Sequence, residues 1–398
     1  MTVEALGRQL EELLLAERSE ANARFFAAEA DRIARLCHRM AERFARGGRL
    51  LAIGHSPAER SDVRHVAVEF VHPVIVGKRA LPAIGLSREG GPITRQLDLL
   101  AEAGDTVMAF GDDPETAAAV ALAVQRGCLT VGFAAVGAEW ELQPPSADPF
   151  VRQELVETVY HVLWELVHVF FDHRGLLEGR EARAVHDTGA SSFLYPFLGE
   201  REHDLESVIA DVRASVAMKA EEVGALREQT LTDGRDELAA AARTLRRVFD
   251  SGGTLLALGN GGSATDAMDA VADFRTPPHG WAPRAALDLT EDPAILTAIA
   301  NDIGTDAIFA RQVIAYGRDG DALLALSTSG NSTNVIEALA EARRRGMSTV
   351  AMVGYDGGRV AEESLADHVI VTRSQHIPRI QEAQASAYHV LRQLVEAV

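Results

Sequence analysis

The sequence predicts two tandem α/β domains, each a three-layer αβα unit with a parallel sheet, preceded by long helices. Three observations carry this. Apolar runs of strand length alternate with amphipathic segments of ten to fifteen residues, the pattern of a parallel sheet covered on both faces. The pattern occurs twice with matched landmarks: RLLAIG (Arg49 to Gly54) parallels TLLALG (Thr254 to Gly259), GDTVMAF (Gly104 to Phe110) parallels GDALLAL (Gly320 to Leu326), and RGCLTVGF (Arg126 to Phe133) parallels RGMSTVAMVG (Arg345 to Gly354). The chain of 398 residues, 47% of them hydrophobic, is also long enough for two cores. The expected boundaries are a first copy at 1–175, a linker at 176–199 holding Gly, Ser and Pro196, and a second copy at 200–398.

In chain order, residues 3 to 46 read as one or two amphipathic helices ending at Gly47-Gly48, followed by the first strand. Leu205 to Ser251 repeats that prelude as a helical run ending at Gly252-Gly253. Bulk properties narrow the function. A net charge of −19 opposes nonspecific binding to nucleic acid or membrane. Cys37 and Cys128 are the two cysteines, too few for a disulfide framework or a cysteine zinc site. The charged start and the lack of any run of 18 uncharged apolar residues predict a soluble, cytoplasmic protein.

Two loops carry chemistry. Thr254 to Phe274 reads as strand, glycine loop (Gly259-Asn260-Gly261-Gly262-Ser263) and helix. Glycines let backbone N–H groups approach an anion, and the helix N-terminus adds partial positive charge. An ordinary strand–helix turn uses the same residues. The second loop, Ser327-Thr328-Ser329-Gly330-Asn331-Ser332-Thr333, puts five hydroxyls into seven residues before another helix. One of them is expected to cap that helix; the number exceeds what capping requires, and hydroxyls with backbone amides suit phosphate oxygens.

GNGGSATDA, STSGNSTNV, GMSTVAMVGYDGG and RIQEAQASAYHVL resemble the sugar isomerase (SIS) domain, in its sedoheptulose 7-phosphate isomerase (phosphoheptose isomerase) branch. The resemblance is strong from about Leu205 onward and divergent in the first copy. It implies phosphosugar binding by Asn260, Gly261, Ser263, Asp302, Ser327, Thr328, Ser329, Ser332, Gln381 and His389. It also implies a metal, zinc or another divalent ion, at His65, Glu69, Gln153 and His161, with Glu69 as proton-shuttling base and His161 its partner. Taken alone, His65 also reads as a solvated helix residue and His161 as a hydrogen-bonded core residue.

The copies differ in what they keep. Pro57 and Glu59 spoil the first glycine loop, and Asp112, Asp113 and Glu115 replace hydroxyls in the other, so phosphate binding is expected to be lost there. In the second copy Asp269 and Asp273 stand at the metal and base positions, and whether they hold metal with His389 stays open. Ser263 to Asp273 spans ~15 Å of helix, more than the order of 9 Å of an extended heptulose phosphate. The expectation is a composite isomerase site shared by the copies, in a homo-oligomer of tandem chains. The alternative is a phosphosugar-binding regulator or scaffold without turnover, since the family includes a non-enzymatic regulator of replication initiation.

Overall fold

The computed structural model describes residues 3–74, 78–172, 177 and 204–397. Apart from Leu177, the expected linker lies outside the described residues. The first sheet contains β1 (Leu50–Gly54), β2 (Ala83–Ser87), β3 (Thr106–Ala109), β4 (Leu129–Gly132) and β5 (Trp140–Glu141), in the order β2-β1-β3-β4-β5. The second contains β6 (Leu255–Leu258), β7 (Ala286–Asp288), β8 (Ala322–Ser327), β9 (Ser348–Gly354) and β10 (His368–Thr372), in the order β10-β9-β8-β6-β7. Read from the other edge, the second order is the same as the first, and every neighbouring pair is parallel.

Strand periodicity explains the layers. Leu255 and Ala257 of β6 join one core with Leu324 and Met352, whereas Leu256 and Leu258 join another with Leu323 and Ala351. Side chains that alternate across a sheet must be apolar on both faces when helices cover both, hence the unbroken runs.

Two compact units result. The second-copy unit comprises residues up to Glu20, Asp148–Glu154 and Glu222–Val398; the first-copy unit comprises Ala21–Ala147 and Leu155–Glu221. The opening helix, α1 (Val3–Ala45), is continuous. The run expected from Leu205 to Ser251 is two helices, α6 (Leu205–Asp233) and α7 (Arg235–Asp250), interrupted at Gly234. Glycine is a poor helix former, and a Cβ there would lie 2.8 Å from the Thr230 carbonyl oxygen. No helix among the described residues is long and apolar enough to cross a membrane.

The first-copy core also buries His168, on α5 (Pro149–Asp172), whose ring nitrogens face the carbonyls of Trp164 at 2.8 Å and Arg79 at 3.0 Å. Burial lowers its pKa to about 4. Because the unfolded histidine titrates near 6.5, its contribution is present above that pH and is lost as pH falls toward 4, by up to about 3 kcal/mol. Denaturant unfolding between pH 7 and 4 should therefore show a shallower loss of stability in His168→Gln than in wild type. Equal slopes would refute this assignment.

Candidate active site

In the second copy, both expected loops end in open helix N-termini. Helix α8 (Gly262–Arg275) follows β6 through Gly259-Asn260-Gly261, and its N-cap Gly261 has φ 58°. At Gly259 a Cβ would sit 2.2 Å from the Ser263 carbonyl oxygen, so the chain folds back too tightly for any side chain. Helix α11 (Thr333–Arg344) has Ser332 as N-cap, and neither helix receives a side-chain cap hydrogen bond. The expected hydroxyl cap is thus absent at Ser332. Ser327 Oγ instead accepts from Gly330 N at 3.1 Å and Ser329 Oγ from Asn331 N at 3.2 Å, which shapes the loop itself. Asn260 and Asn334 exchange two amide hydrogen bonds of 2.9 Å and tie the loops together. Ser263 and Ser327 are buried, Thr328, Ser329 and Ser332 half-buried, and Asn260 and Gly261 exposed. Two uncapped N-termini flanked by hydroxyls leave backbone donors open, an arrangement that suits an anion.

The first copy has the same elements with their ends closed. Helix α2 (Pro57–Val71) starts in a capping box of Ser56 and Glu59. Glu59 Oε2 accepts from the backbone N–H of His55 at 2.6 Å and of Ser56 at 2.9 Å. The same carboxylate lies against Gly111 of the other loop, where a Cβ would fall 2.7 Å from Glu59 Oε1. Helix α4 (Pro114–Gln125) is capped by Asp113, which accepts from Glu115 N at 2.8 Å and Thr116 N at 3.2 Å. The donors that phosphate would use are therefore already engaged by carboxylates.

The first copy carries a different cluster. His65 and Glu69 lie one turn apart on α2, and His161 comes from α5. His65 Nε2 is 3.3 Å from His161 Nε2 and 3.9 Å from Glu69 Oε1. All three residues are buried, and their ligand atoms lie within 4.8 Å of one another. Burial, and then the neighbouring His161, hold the His65 pKa well below its ordinary value, which leaves a lone pair for a ligand. A tetrahedral zinc with bonds of about 2.0–2.1 Å has ligand–ligand edges of roughly 3.3–3.4 Å, so the two imidazoles fit one ion. Their spacing equally fits an N–H···N bond.

Gln153 is placed elsewhere. It belongs to the second-copy unit, where its Nε2 donates to Asp269 Oδ1 at 2.8 Å. Asp269 and Asp273 of α8 meet His389 of α13 (Ile377–Ala397), whose Nε2 lies 3.3 Å from Asp269 Oδ2 and 3.4 Å from Asp273 Oδ2. Its Nδ1 faces Glu154 Oε1 at 3.0 Å. Glu154 also pairs with Arg18 at 2.8 Å and accepts from Ser386 Oγ at 2.6 Å. Sequence reasoning missed Glu154. The signal was the repeat itself, since Gln153-Glu154 recurs as Gln381-Glu382. Gln381 is buried on α13, and Asp302 is exposed at the end of α9 (Pro293–Asp302), accepting from Asn301 Nδ2 at 2.7 Å.

The contrast in helix ends yields a test by thermal shift. Inorganic phosphate should raise the melting temperature of wild type and of Glu115→Gln, and leave Ser329→Asp unmoved. Loss of the shift in both variants would contradict a single open cradle.

With this geometry in place, three comparisons bear on identity. The SIS domain family matches residues 220–354. The phosphoheptose isomerase of Chlorobium phaeobacteroides (strain DSM 266) is 45% identical over 174 residues, 42% of this chain and 76% of that protein. That of Roseiflexus sp. (strain RS-1) is 40% identical over 196 residues, covering 48% and 91%. The C-terminal domain of glucosamine-fructose-6-phosphate aminotransferase from Francisella tularensis covers 97% of this chain and 95% of its own, with TM-score 0.59 and 11% identity, a likeness of fold alone. Sequence identity at this level, over most of the relatives' length, places the chain in the phosphoheptose isomerase family of SIS-domain proteins.

Proposed function

We propose that this protein is an aldose–ketose isomerase of a phosphorylated sugar, with heptose phosphates as the first substrates to test. The observation that carries the reading is the pair of uncapped helix N-termini tied by Asn260 and Asn334, because open backbone donors suit an anion rich in acceptor oxygens. Asn260, Gly261, Ser263, Ser327, Thr328, Ser329 and Ser332 hold the phosphate through backbone N–H and hydroxyl donors. Glu69 carries the proton between C1 and C2, and His161 assists at the substrate oxygen. Both are buried.

His65, Glu69 and His161 would hold a divalent metal, zinc before others given two imidazoles and a carboxylate. When bound, such an ion supplies electrophilic polarisation of the carbonyl and of the developing enediolate. The protein's own part is to keep His65 neutral by burial and to hold the two Nε2 atoms 3.3 Å apart. A second reading, a phosphosugar-binding regulator without turnover, draws on the closed first cradle: a copy that no longer binds phosphate has already lost one family function.

Turnover decides between them. With C5–C7 ketose phosphates in D2O and zinc present, wild type should place solvent deuterium on the sugar at C1 or C2. Glu69→Gln should lower that rate by at least about 100-fold and keep the phosphate-induced thermal shift. No exchange by wild type with any of these sugars would establish the regulator instead.

A further inference from the structure

Where the strands begin, the two sheets repeat one construction with one residue exchanged. Gly48 and Gly253 precede the first strands of their copies. A Cβ there would lie 2.2 Å from the Gly104 carbonyl oxygen in one and 2.6 Å from that of Gly320 in the other. Asp105 and Asp321, next in sequence to Gly104 and Gly320, are both buried and accept equivalent backbone bonds. Asp105 Oδ1 accepts from Arg49 N at 2.8 Å and Oδ2 from Glu102 N at 3.0 Å. Asp321 Oδ1 accepts from Thr254 N at 2.8 Å and Oδ2 from Arg318 N at 2.9 Å.

The side chains then differ. In the first copy the Arg49 guanidinium lies along the carboxylate, with Nε 3.3 Å from Asp105 Oδ1 and Nη2 2.8 Å from Oδ2. Nη2 also donates to the carbonyl of Leu100, the last residue of α3 (Ile93–Leu100), at 2.6 Å. The second copy has Thr254 in the place of Arg49. Each Asp321 oxygen has taken one bond and can accept another, yet among the described residues no side chain donates to it. Instead of a guanidinium there is a surface cavity of about 540 Å³, lined by Thr254, Leu256, Leu287, Tyr316, Arg318 and Asp321. That size is in the range of small-molecule sites. Tyr316 ends α10 (Ile308–Tyr316) as Leu100 ends α3, so its carbonyl is the counterpart of the remaining Arg49 acceptor.

The rim sets a second requirement. Glu102, 3.6 Å from Arg49 Nη2 in the first copy, is replaced by Arg318 in the second. Arg318 is exposed, and its guanidinium has no ion-pair partner among the described residues. It repels a bare cation and attracts an acid group. We propose that this cavity binds a guanidino acid, its guanidinium seated on Asp321 and the Tyr316 carbonyl as Arg49 is seated in the first copy, and its acid group on Arg318. A carboxylate edge matches the planar guanidinium fork, which an ammonium does not reproduce. Leu256 and Leu287 give the intervening methylenes an apolar wall. The cavity lies before β6 and β8, whereas Ser327 ends β8, so the site is distinct from the phosphate loops and independent of sugar turnover.

Calorimetric titration of the full chain with L-arginine tests this. Wild type should bind one equivalent. L-citrulline, a neutral isostere of arginine, should bind at least about 10-fold more weakly. Agmatine, which lacks the acid group, should bind more weakly than arginine, and Arg318→Ala should remove that difference. Thr254→Arg supplies the first copy's own guanidinium, so it should abolish binding and melt at or above the wild-type temperature. Inorganic phosphate should leave the arginine affinity unchanged. The proposal is overturned if wild type takes up no arginine, if citrulline or agmatine binds as tightly, or if Thr254→Arg binds arginine as wild type does. Competition by phosphate overturns it as well, since arginine would then sit at the phosphate loops. Should Thr254→Arg fail to fold, the comparison of arginine with citrulline on wild type decides by itself.

Discussion

The first N–H groups of a helix have no partner within it, and how each copy satisfies them decides what it can bind. In the second copy, Gly261 and Ser332 leave the ends of α8 and α11 without side-chain caps. In the first, Glu59 and Asp113 supply the anion from within. A helix capped by its own carboxylate is the more stable on its own. An uncapped end is a standing cost of roughly 1 kcal/mol that a bound phosphate can offset. The open ends are therefore the feature to associate with a ligand, and the closed ones with structure.

A parallel holds for the buried clusters. The first copy sets an internal anion, the Glu59 carboxylate, against its own loops, and the second buries His389 beside Asp269 and Asp273. Divergence after duplication then follows electrostatics as much as chemistry.

Much of this was legible in the residues. Apolar runs such as Leu255–Leu258 sit in both cores as the alternation requires, and the Gly and Ser loops fall at strand ends. Local rules failed where long-range packing decides. Gln153, which the family resemblance implies as a metal ligand beside His161, donates its amide to Asp269, a contact that no pattern along α5 announces. Glu154 carries no local signal, since its role depends on Arg18 and His389, far away in sequence. The helix break at Gly234 was hidden in an otherwise good helical run, because a single glycine signals weakly. One loop hydroxyl was expected to cap α11, yet Ser332 at the N-cap makes no such bond; capping is a matter of rotamer, which composition does not encode.

The division between copies reduces to a count of anion sites. Calorimetric titration of the full chain with a non-isomerisable heptitol phosphate measures it directly. The account predicts one site per chain, from the uncapped ends of α8 and α11. Two sites would show that Glu59 and Asp113 yield to phosphate and that self-capping does not close the first copy; none would show that open helix ends are not what this protein uses to bind.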